Sequence, residues 1–157
     1  MIFRARPMTS SEVYYYKEGN EYTTRTGGYA ITYINNGTVT LVKDPASMTI
    51  IAYNTGEGSG SCCSLSQVDV TNINTLYLDT YFAAHRSGDY FKFGVATANT
   101  DNNFIVDTGT LTNEGSETNS VDVSAVTGQV YIKIRIYNVQ YGVVDTEVTV
   151  FNIWGER

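Results

Sequence analysis

The feature that most constrains the fold is a strict alternation of apolar and polar side chains near the C-terminus. Residues 129–138 read Gln-Val-Tyr-Ile-Lys-Ile-Arg-Ile-Tyr-Asn, so Val or Ile stands at every second position from 130 to 136. Successive side chains of an extended chain point to opposite faces, so a period of two predicts a β-strand with one buried and one polar face. Residues 76–83 and 90–97 show the same pattern. Such strands need a second apolar layer to cover them.

Turn signals separate the extended runs. Asn36-Gly37 stands between two of them and predicts a tight hairpin, because both residues readily adopt positive φ. Asp44-Pro45 and Thr127-Gly128 mark further breaks, and no stretch keeps a helical period. Short strands at regular spacing predict an all-β fold, a two-sheet antiparallel β-sandwich of jelly-roll-like topology.

Length and composition fit one domain. A chain of 157 residues and 17.3 kDa buries a sizeable core without disulfide or metal staples. We expect an N-terminal arm, residues 1–11, followed by a single sandwich, residues 12–157. No apolar segment of the sequence is long enough for a secretory signal or a membrane span, so neither is predicted.

The charge balance excludes some partners. A net charge of -6 and a pI near 4.6 repel phosphate backbones and anionic lipid surfaces. We therefore predict no nucleic-acid and no membrane partner. The low charged fraction, 17%, and the 13 tyrosines favour a protein that forms sheets and makes contacts.

The residue types that catalysis most often uses are scarce. His85 is the single histidine, and the adjacent Cys62 and Cys63 lack the spacing of a zinc site and favour reduced thiols. We predict that the chain is not an enzyme and has no metal. A polysaccharide depolymerase stays open as an alternative, because two of the 16 acidic residues could flank a glycosidic bond.

The most distinctive segment is a run of tyrosines at residues 14–22. Side chains alternate along a strand, so at least one of Tyr14, Tyr15 and Tyr16 is expected to face away from the core. Exposed aromatic rings beside amides such as Asn20 are typical of sugar sites, where the ring packs on the sugar's apolar face. A contact between sheets or subunits uses such rings equally well. The candidate binding residues in this segment are Tyr14, Tyr15, Tyr16, Asn20 and Tyr22.

A second candidate surface is the polar side of residues 129–138. It presents Tyr131, Lys133, Arg135 and Tyr137, of which the two tyrosines and Arg135 are candidate glycan or partner contacts. A neighbouring strand carrying Asp79 would allow ion pairs with Lys133 or Arg135 across the sheet.

Calcium binding is left open. Residues 99–103, Asn-Thr-Asp-Asn-Asn, offer oxygen ligands, but the run lacks the glycine and closing glutamate of a helix–loop–helix calcium site. No cofactor is predicted.

Two short motifs carry a resemblance to a known class of protein. The run at residues 14–22 is followed by Thr26-Gly27-Gly28-Tyr29, and residues 68–71, Val-Asp-Val-Thr, precede the strand that begins at Leu76. Together they resemble small carbohydrate-binding-like β-sandwich modules of phage and prophage structural proteins of Gram-positive bacteria. Tyr29 stands where those modules commonly have Trp.

The resemblance implies a function and a setting. It implies a non-catalytic virion surface protein, assembled in the host cytoplasm, that decorates the capsid or tail, binds host-surface glycan, or does both. It adds Tyr29 to the candidate binding residues, and other virion proteins to the partners. Arg4 and Arg6 of the arm are predicted to dock on a neighbouring protein, and a homotrimer is expected. A purely structural decoration protein without a ligand is the alternative.

Overall fold

A computed structural model of the protein describes residues 11–53, 58–83, 88–138 and 145–157. Over these ranges the chain forms two antiparallel β-sheets that enclose one apolar core, which confirms the predicted all-β sandwich. The predictions for Arg4, Arg6 and His85 fall outside the described residues. Of the part of the chain that is described, no helix is long and apolar enough to cross a membrane.

The elements follow in chain order with one helical turn among the strands. The helix is α1 (Thr23–Thr26). The strands are β1 (Glu12–Lys17), β2 (Tyr29–Asn36), β3 (Val39–Asp44), β4 (Ser47–Ala52), β5 (Gly58–Ser64), β6 (Val68–Asp69), β7 (Thr75–Ala83), β8 (Tyr90–Ala96), β9 (Val106–Asp107), β10 (Gly115–Asp122), β11 (Gln129–Asn138) and β12 (Thr146–Glu156).

Each sheet is built around one long C-terminal strand. The first sheet has the order β10-β7-β12-β4-β3, and β1 pairs with the C-terminal part of β12. The second has the order β2-β5-β11-β8-β9, and β6 pairs with the start of β11. All of these pairings are antiparallel, as predicted.

The alternation along β11 is realised as the sequence predicts. Its apolar residues are buried and face the apolar side chains of β4, β7 and β12 across the core. The buried set from the two sheets includes Phe91, Phe93, Val95, Val130, Ile132, Ile134 and Ile136 on one side, and Met48, Ile50, Leu76, Leu78, Val148, Val150 and Ile153 on the other. The core therefore fixes the outward direction of every second side chain in β11.

The hairpin predicted at Asn36-Gly37 is wrong. Gly37 has φ 64° and does turn the chain, but β2 pairs with β5 in the second sheet whereas β3 pairs with β4 in the first. The turn therefore leads across the sandwich rather than back along one sheet. The hairpin lies one turn later, where Asp44 pairs with Ser47 around Pro45. The residues of the turn predicted correctly where the chain bends, but they did not predict which strands β2 and β3 pair with.

We predict that Gly94→Ala destabilises the domain. A Cβ at Gly94 would overlap the carbonyl oxygen of Val106 and lie 3.0 Å from Cδ1 of Phe104, since the segment before β9 packs directly on this strand. Overpacking of this kind costs about 1–3 kcal/mol of unfolding free energy. Urea unfolding at neutral pH measures it.

The sign of the change in unfolding free energy shows whether Gly94 is in close contact with the segment around β9. Alanine in an open strand position is more stable than glycine by about 0.5–1 kcal/mol. A Gly94→Ala variant with a higher urea midpoint than the parent chain would show that the segment does not press on the strand.

Candidate functional site

Three of the tyrosines in the first predicted site belong to the core. Tyr15, Tyr16 and Tyr29 are each no more than 2% exposed. A β-bulge between Tyr14 and Tyr16 breaks the register with β12 and so directs two consecutive rings inward. The rings of Tyr16 and Tyr29 meet edge to face at 6.0 Å, and the Tyr29 hydroxyl donates to the Tyr15 carbonyl at 3.2 Å. The expectation that these rings meet a ligand at the surface is corrected: they hold the sheets together.

Tyr14 lies on the opposite face of the first sheet, where it meets other aromatic rings. It pairs across the strands with Trp154, at a ring distance of 6.2 Å, and Tyr77 stacks on Trp154 at 5.1 Å. Tyr14 and Trp154 are both 2% exposed. This aromatic row therefore presents little of its surface to a ligand.

The polar residues beside the tyrosine run support a turn. The Asn20 side chain accepts the backbone N–H of Tyr22 at 2.9 Å. Glu21 Oε1 accepts the backbone N–H of Tyr29 at 2.9 Å and the Lys43 ammonium at 2.7 Å. Asn20 and Glu21 are thus used for local structure, and the structure does not bring the predicted site residues of this segment together on one surface.

Two residues of the second predicted stripe, Arg135 and Tyr137, do form part of a surface. Because β11 is central, its outward residues lie between two neighbours: Arg135 is opposite Ser61 of β5 and Lys92 of β8. Tyr137 is likewise opposite Ser59 and Tyr90. We call Ser59, Tyr90, Lys92, Arg135 and Tyr137 the polar face.

The expected ion pairs of Asp79 with Lys133 or Arg135 do not exist, because β7 and β11 lie in different sheets. Asp79 instead accepts hydrogen bonds from Thr118, at 2.5 Å, and Asn152, at 3.0 Å, within the first sheet.

The polar face combines rings with hydrogen-bonding groups. Tyr90 and Tyr137 stack with their centroids 5.0 Å apart and their planes inclined by 24°, and Arg135 Cζ lies 6.0 Å from the Tyr90 centroid. Arg135 Nη2 lies 3.5 Å from Ser59 Oγ, and its Nε is buried without a hydrogen-bond partner among the described residues. The guanidinium is thus oriented by the ring, and any donors it has for a ligand are at the Nη end of the group.

A loop crosses this side of the second sheet and limits the polar face. Lys133 is fully buried beneath it, and its ammonium donates to the Asp101 carbonyl at 3.0 Å, the Asp101 carboxylate at 3.1 Å and the Asn103 carbonyl at 2.8 Å. Ser61 Oγ donates to Asn102 Oδ1 at 2.8 Å. Tyr131 pairs with Ala96, beyond the crossing, so the loop separates it from Arg135 and Tyr137.

The same loop is where calcium was left open from the sequence. Its inward oxygens, two from Asp101 and one from Asn103, surround the Lys133 ammonium, which supplies the positive charge there. Among the residues the structure describes, no group of three or more His, Cys, Asp or Glu side chains is placed to hold a metal ion.

Sequence reasoning missed the contributions of β5 and β8. The alternation at residues 90–97 places Tyr90 and Lys92 on one side of a strand, but nothing local places that strand beside β11. Cys62 and Cys63 are free and buried in β5, as expected for reduced thiols, and burial raises the pKa of both.

Two solved structures show which fold the chain shares. TmCBM61, solved in complex with β-1,4-galactotriose, matches with a TM-score of 0.57 and 10% identity over 92% of this chain and 99% of that chain. The glycoside hydrolase domain of Endo-D from Streptococcus pneumoniae R6 matches with a TM-score of 0.58 and 13% identity over 78% of this chain and 21% of that chain. The protein thus has the β-sandwich fold of a carbohydrate-binding module. It spans about a fifth of the Endo-D chain.

No family model matches the sequence, and the search of curated proteins finds no match. A domain of a bacteriophage CBA120 tailspike matches with a TM-score of 0.43, which is too low to support an argument.

We predict that Lys133→Met loosens the crossing loop. The substitution keeps the length of the side chain but removes a donor that three oxygens share, at a cost of about 1–3 kcal/mol. Urea unfolding gives the energy, and amide hydrogen exchange of residues 97–107 gives its location.

Lys92→Met is the matched control. Lys92 Nζ lies 4.0 Å from Asp107 Oδ1 in a partly exposed ion pair, which contributes at most about 1 kcal/mol. Equal losses in the two variants would contradict the assigned role of Lys133.

The hydrogen bonds between Lys133 and the crossing loop also make the stability of the domain depend on pH. The backbone N–H of Asn103 and the Lys133 ammonium hold the pKa of Asp101 below its usual value. The folded state therefore favours the carboxylate, so the stabilisation is complete above the unfolded pKa, about 3.9, and disappears as pH falls through the lower folded pKa. We expect Lys133→Met to lose less stability than the parent chain between neutral pH and pH 3. Parallel urea titrations measure the difference, and identical pH profiles would exclude the coupling.

Proposed function

We propose that this chain is a non-catalytic glycan-binding domain whose ligand lies on the polar face. The observation that carries the proposal is the placement of the Arg135 guanidinium, whose Nη2 contacts only Ser59 among the described residues, beside the stacked rings of Tyr90 and Tyr137. Aromatic rings pack against the C–H faces of sugars, while guanidinium and hydroxyl groups bind sugar hydroxyls. The fold agrees with this use, because TmCBM61 matches nearly end to end and its structure contains a bound galactotriose.

The shape of the ligand follows from the boundaries of the face. The crossing loop closes one end at Lys133. The partly exposed residues of the face lie on two adjacent strands, β11 and β8, whereas Ser59 of β5 is fully buried. Neighbouring strands lie about 4.8 Å apart, so a single sugar ring fits across the face.

The absence of catalysis is part of the proposal. A retaining or inverting glycosidase needs two carboxyl groups roughly 5–9.5 Å apart beside its ligand. The polar face has no carboxylate among its five defining residues, and Asp107, which adjoins it, pairs with Lys92. This composition supports a binding role over the depolymerase alternative.

The setting we propose is a phage particle, with the domain on the virion surface as a homo-oligomer. This part rests on the resemblance of residues 14–29 and 68–79 to phage modules. It stays a prediction, as do the trimer and the docking role of Arg4 and Arg6. Cryo-electron microscopy of the particle tests all of these, and a particle without the protein would overturn the setting while leaving glycan binding intact.

We expect Tyr137→Ala and Arg135→Gln each to weaken glycan retention by about ten-fold or more, since each removes one of the two kinds of contact the face offers. A ten-fold loss corresponds to about 1.4 kcal/mol, the size of one ring or charged hydrogen-bond contact. The measurement is native gel electrophoresis through soluble β-1,4-galactan, a glucan, a xylan and a purified bacterial wall polysaccharide.

Tyr81→Ala provides the matched control, because Tyr81 is 42% exposed on the outer side of the first sheet, far from the polar face. Thermal unfolding verifies that each variant folds. Retention by none of the four polysaccharides, or retention that survives both polar-face substitutions, would overturn the proposed function.

A further inference from the structure

A separate, concave site lies at the other end of the sandwich. A cleft of about 310 Å³ is lined by Val13, Tyr15, Arg25, Asp69, Asn72, Ile73 and Arg157. Asp69 pairs with Gln129 at the start of β11, whereas Tyr137 of the polar face lies eight residues further along the same strand. At about 3.3 Å per residue the two sites are roughly 26 Å apart. One small ligand cannot bridge them.

Arg25 is held rigidly at this cleft. Its Nη1 donates to the Tyr14 carbonyl, and its Cζ lies 5.7 Å from the Tyr15 ring centroid and 5.5 Å from that of Tyr22. A guanidinium has five N–H donors, so the backbone contact leaves others for a ligand. The rings fix the orientation of the group before anything binds.

The second cation of the cleft is Arg157. Its guanidinium forms no ion pair or hydrogen bond with any residue that the structure describes, although its backbone N–H donates to Ser11 at 3.1 Å. Two guanidinium groups that line one cleft, one of them fixed and one available, are a typical arrangement for binding a carboxylate.

The cleft also contains a hydroxyl group, from Tyr15, and a carboxylate, from Asp69. The Tyr15 ring is buried, but its hydroxyl makes no hydrogen bond to a described residue. Burial raises the pKa of Tyr15 to about 12 against the opposing effect of Arg25 and Arg157, so the hydroxyl stays protonated and can donate. Asp69 Oδ1 accepts from the Thr71 backbone and hydroxyl, which leaves Oδ2 as an acceptor.

We propose that this cleft binds the carboxylate-bearing ring of an acidic glycan, a hexuronic acid unit. The arginines would take the carboxylate, Asp69 and Asn72 the ring hydroxyls, and Ile73 and Val13 the apolar face of the ring. The volume suits a single sugar, since it lies at the lower end of the range for ligand pockets.

A carboxylate fits the charges better than a phosphate does. The ionisable side chains lining the cleft are two cations and one anion, so the excess matches a single negative charge. Asp69 would repel a phosphate dianion, whereas its free carboxylate oxygen can accept hydrogen bonds from the hydroxyls of a sugar ring. The proposal does not depend on ligand binding at the polar face.

The test is an NMR titration of the full chain with methyl glucuronide and methyl galacturonide, each against its neutral methyl glycoside. We expect amide shifts at the cleft and at least ten-fold tighter binding of one uronide than of its neutral partner. Arg157→Gln should weaken that binding at least ten-fold. Arg25 is unsuitable for this purpose because it also holds Tyr14, Tyr15 and Tyr22 in place.

Two controls separate this site from other surfaces and from a general anion site. Tyr81→Ala, on the outer side of the first sheet, should leave uronide binding unchanged. Inorganic phosphate should bind more weakly than the uronide. Equal affinity for phosphate, amide shifts at the polar face instead of the cleft, uronide binding that Arg157→Gln leaves unchanged, or no preference for either uronide over its neutral glycoside would each overturn the assignment.

Discussion

The packing of β11 against the first sheet is the constraint on which the rest of the domain depends. This strand is hydrogen-bonded on both edges, and its apolar residues from Val130 to Ile136 are buried against the facing sheet. A one-residue slip would turn this whole set toward solvent, so the register is strongly specified. The outward direction of Arg135 and Tyr137 is thus a consequence of core packing, and the polar face inherits the rigidity of the core.

Lys133 occupies the one outward position of β11 that the protein covers completely. Burying an ammonium is costly unless it is paired and hydrogen-bonded, and here the Asp101 and Asn103 oxygens satisfy it. The charge in turn draws the loop of residues 97–103 across the sheet. Gly94 permits this approach, since any side chain there would collide with Val106. One boundary of the proposed glycan site therefore depends on two residues, the buried Lys133 on β11 and Gly94 on the neighbouring β8.

The distribution of charge reconciles an acidic protein with sites rich in cations. The net charge is -6, yet Lys92, Lys133 and Arg135 lie on one side of the second sheet and Arg25 and Arg157 line the cleft. At physiological salt the field of distant carboxylates is screened beyond about 8 Å. Distant carboxylates of the acidic surface therefore contribute little inside the cleft, where a sugar carboxylate meets mainly the two arginines.

The local periodicity of the sequence by itself determined the fold class and the outward face of β11. It also determined two matching turns, in which Asp69 accepts from Thr71 and Asp122 accepts from Ser124 with nearly equal distances. These features depend on residues a few positions apart, and such interactions form the same way in any surroundings. For this reason the sequence predicted only the β11 residues of the polar face, Arg135 and Tyr137.

Only the tertiary structure decided which strands meet. The bulge that buries Tyr15 and Tyr16, the separation of β2 from β3 into different sheets, and the placement of Tyr90 beside Tyr137 all follow from contacts between distant segments. The cleft brings together residues from 13 to 157, which share no pattern along the chain. The alternation of side chains predicts which face of a strand a residue lies on. Which strand pairs with it depends on the packing of the whole core.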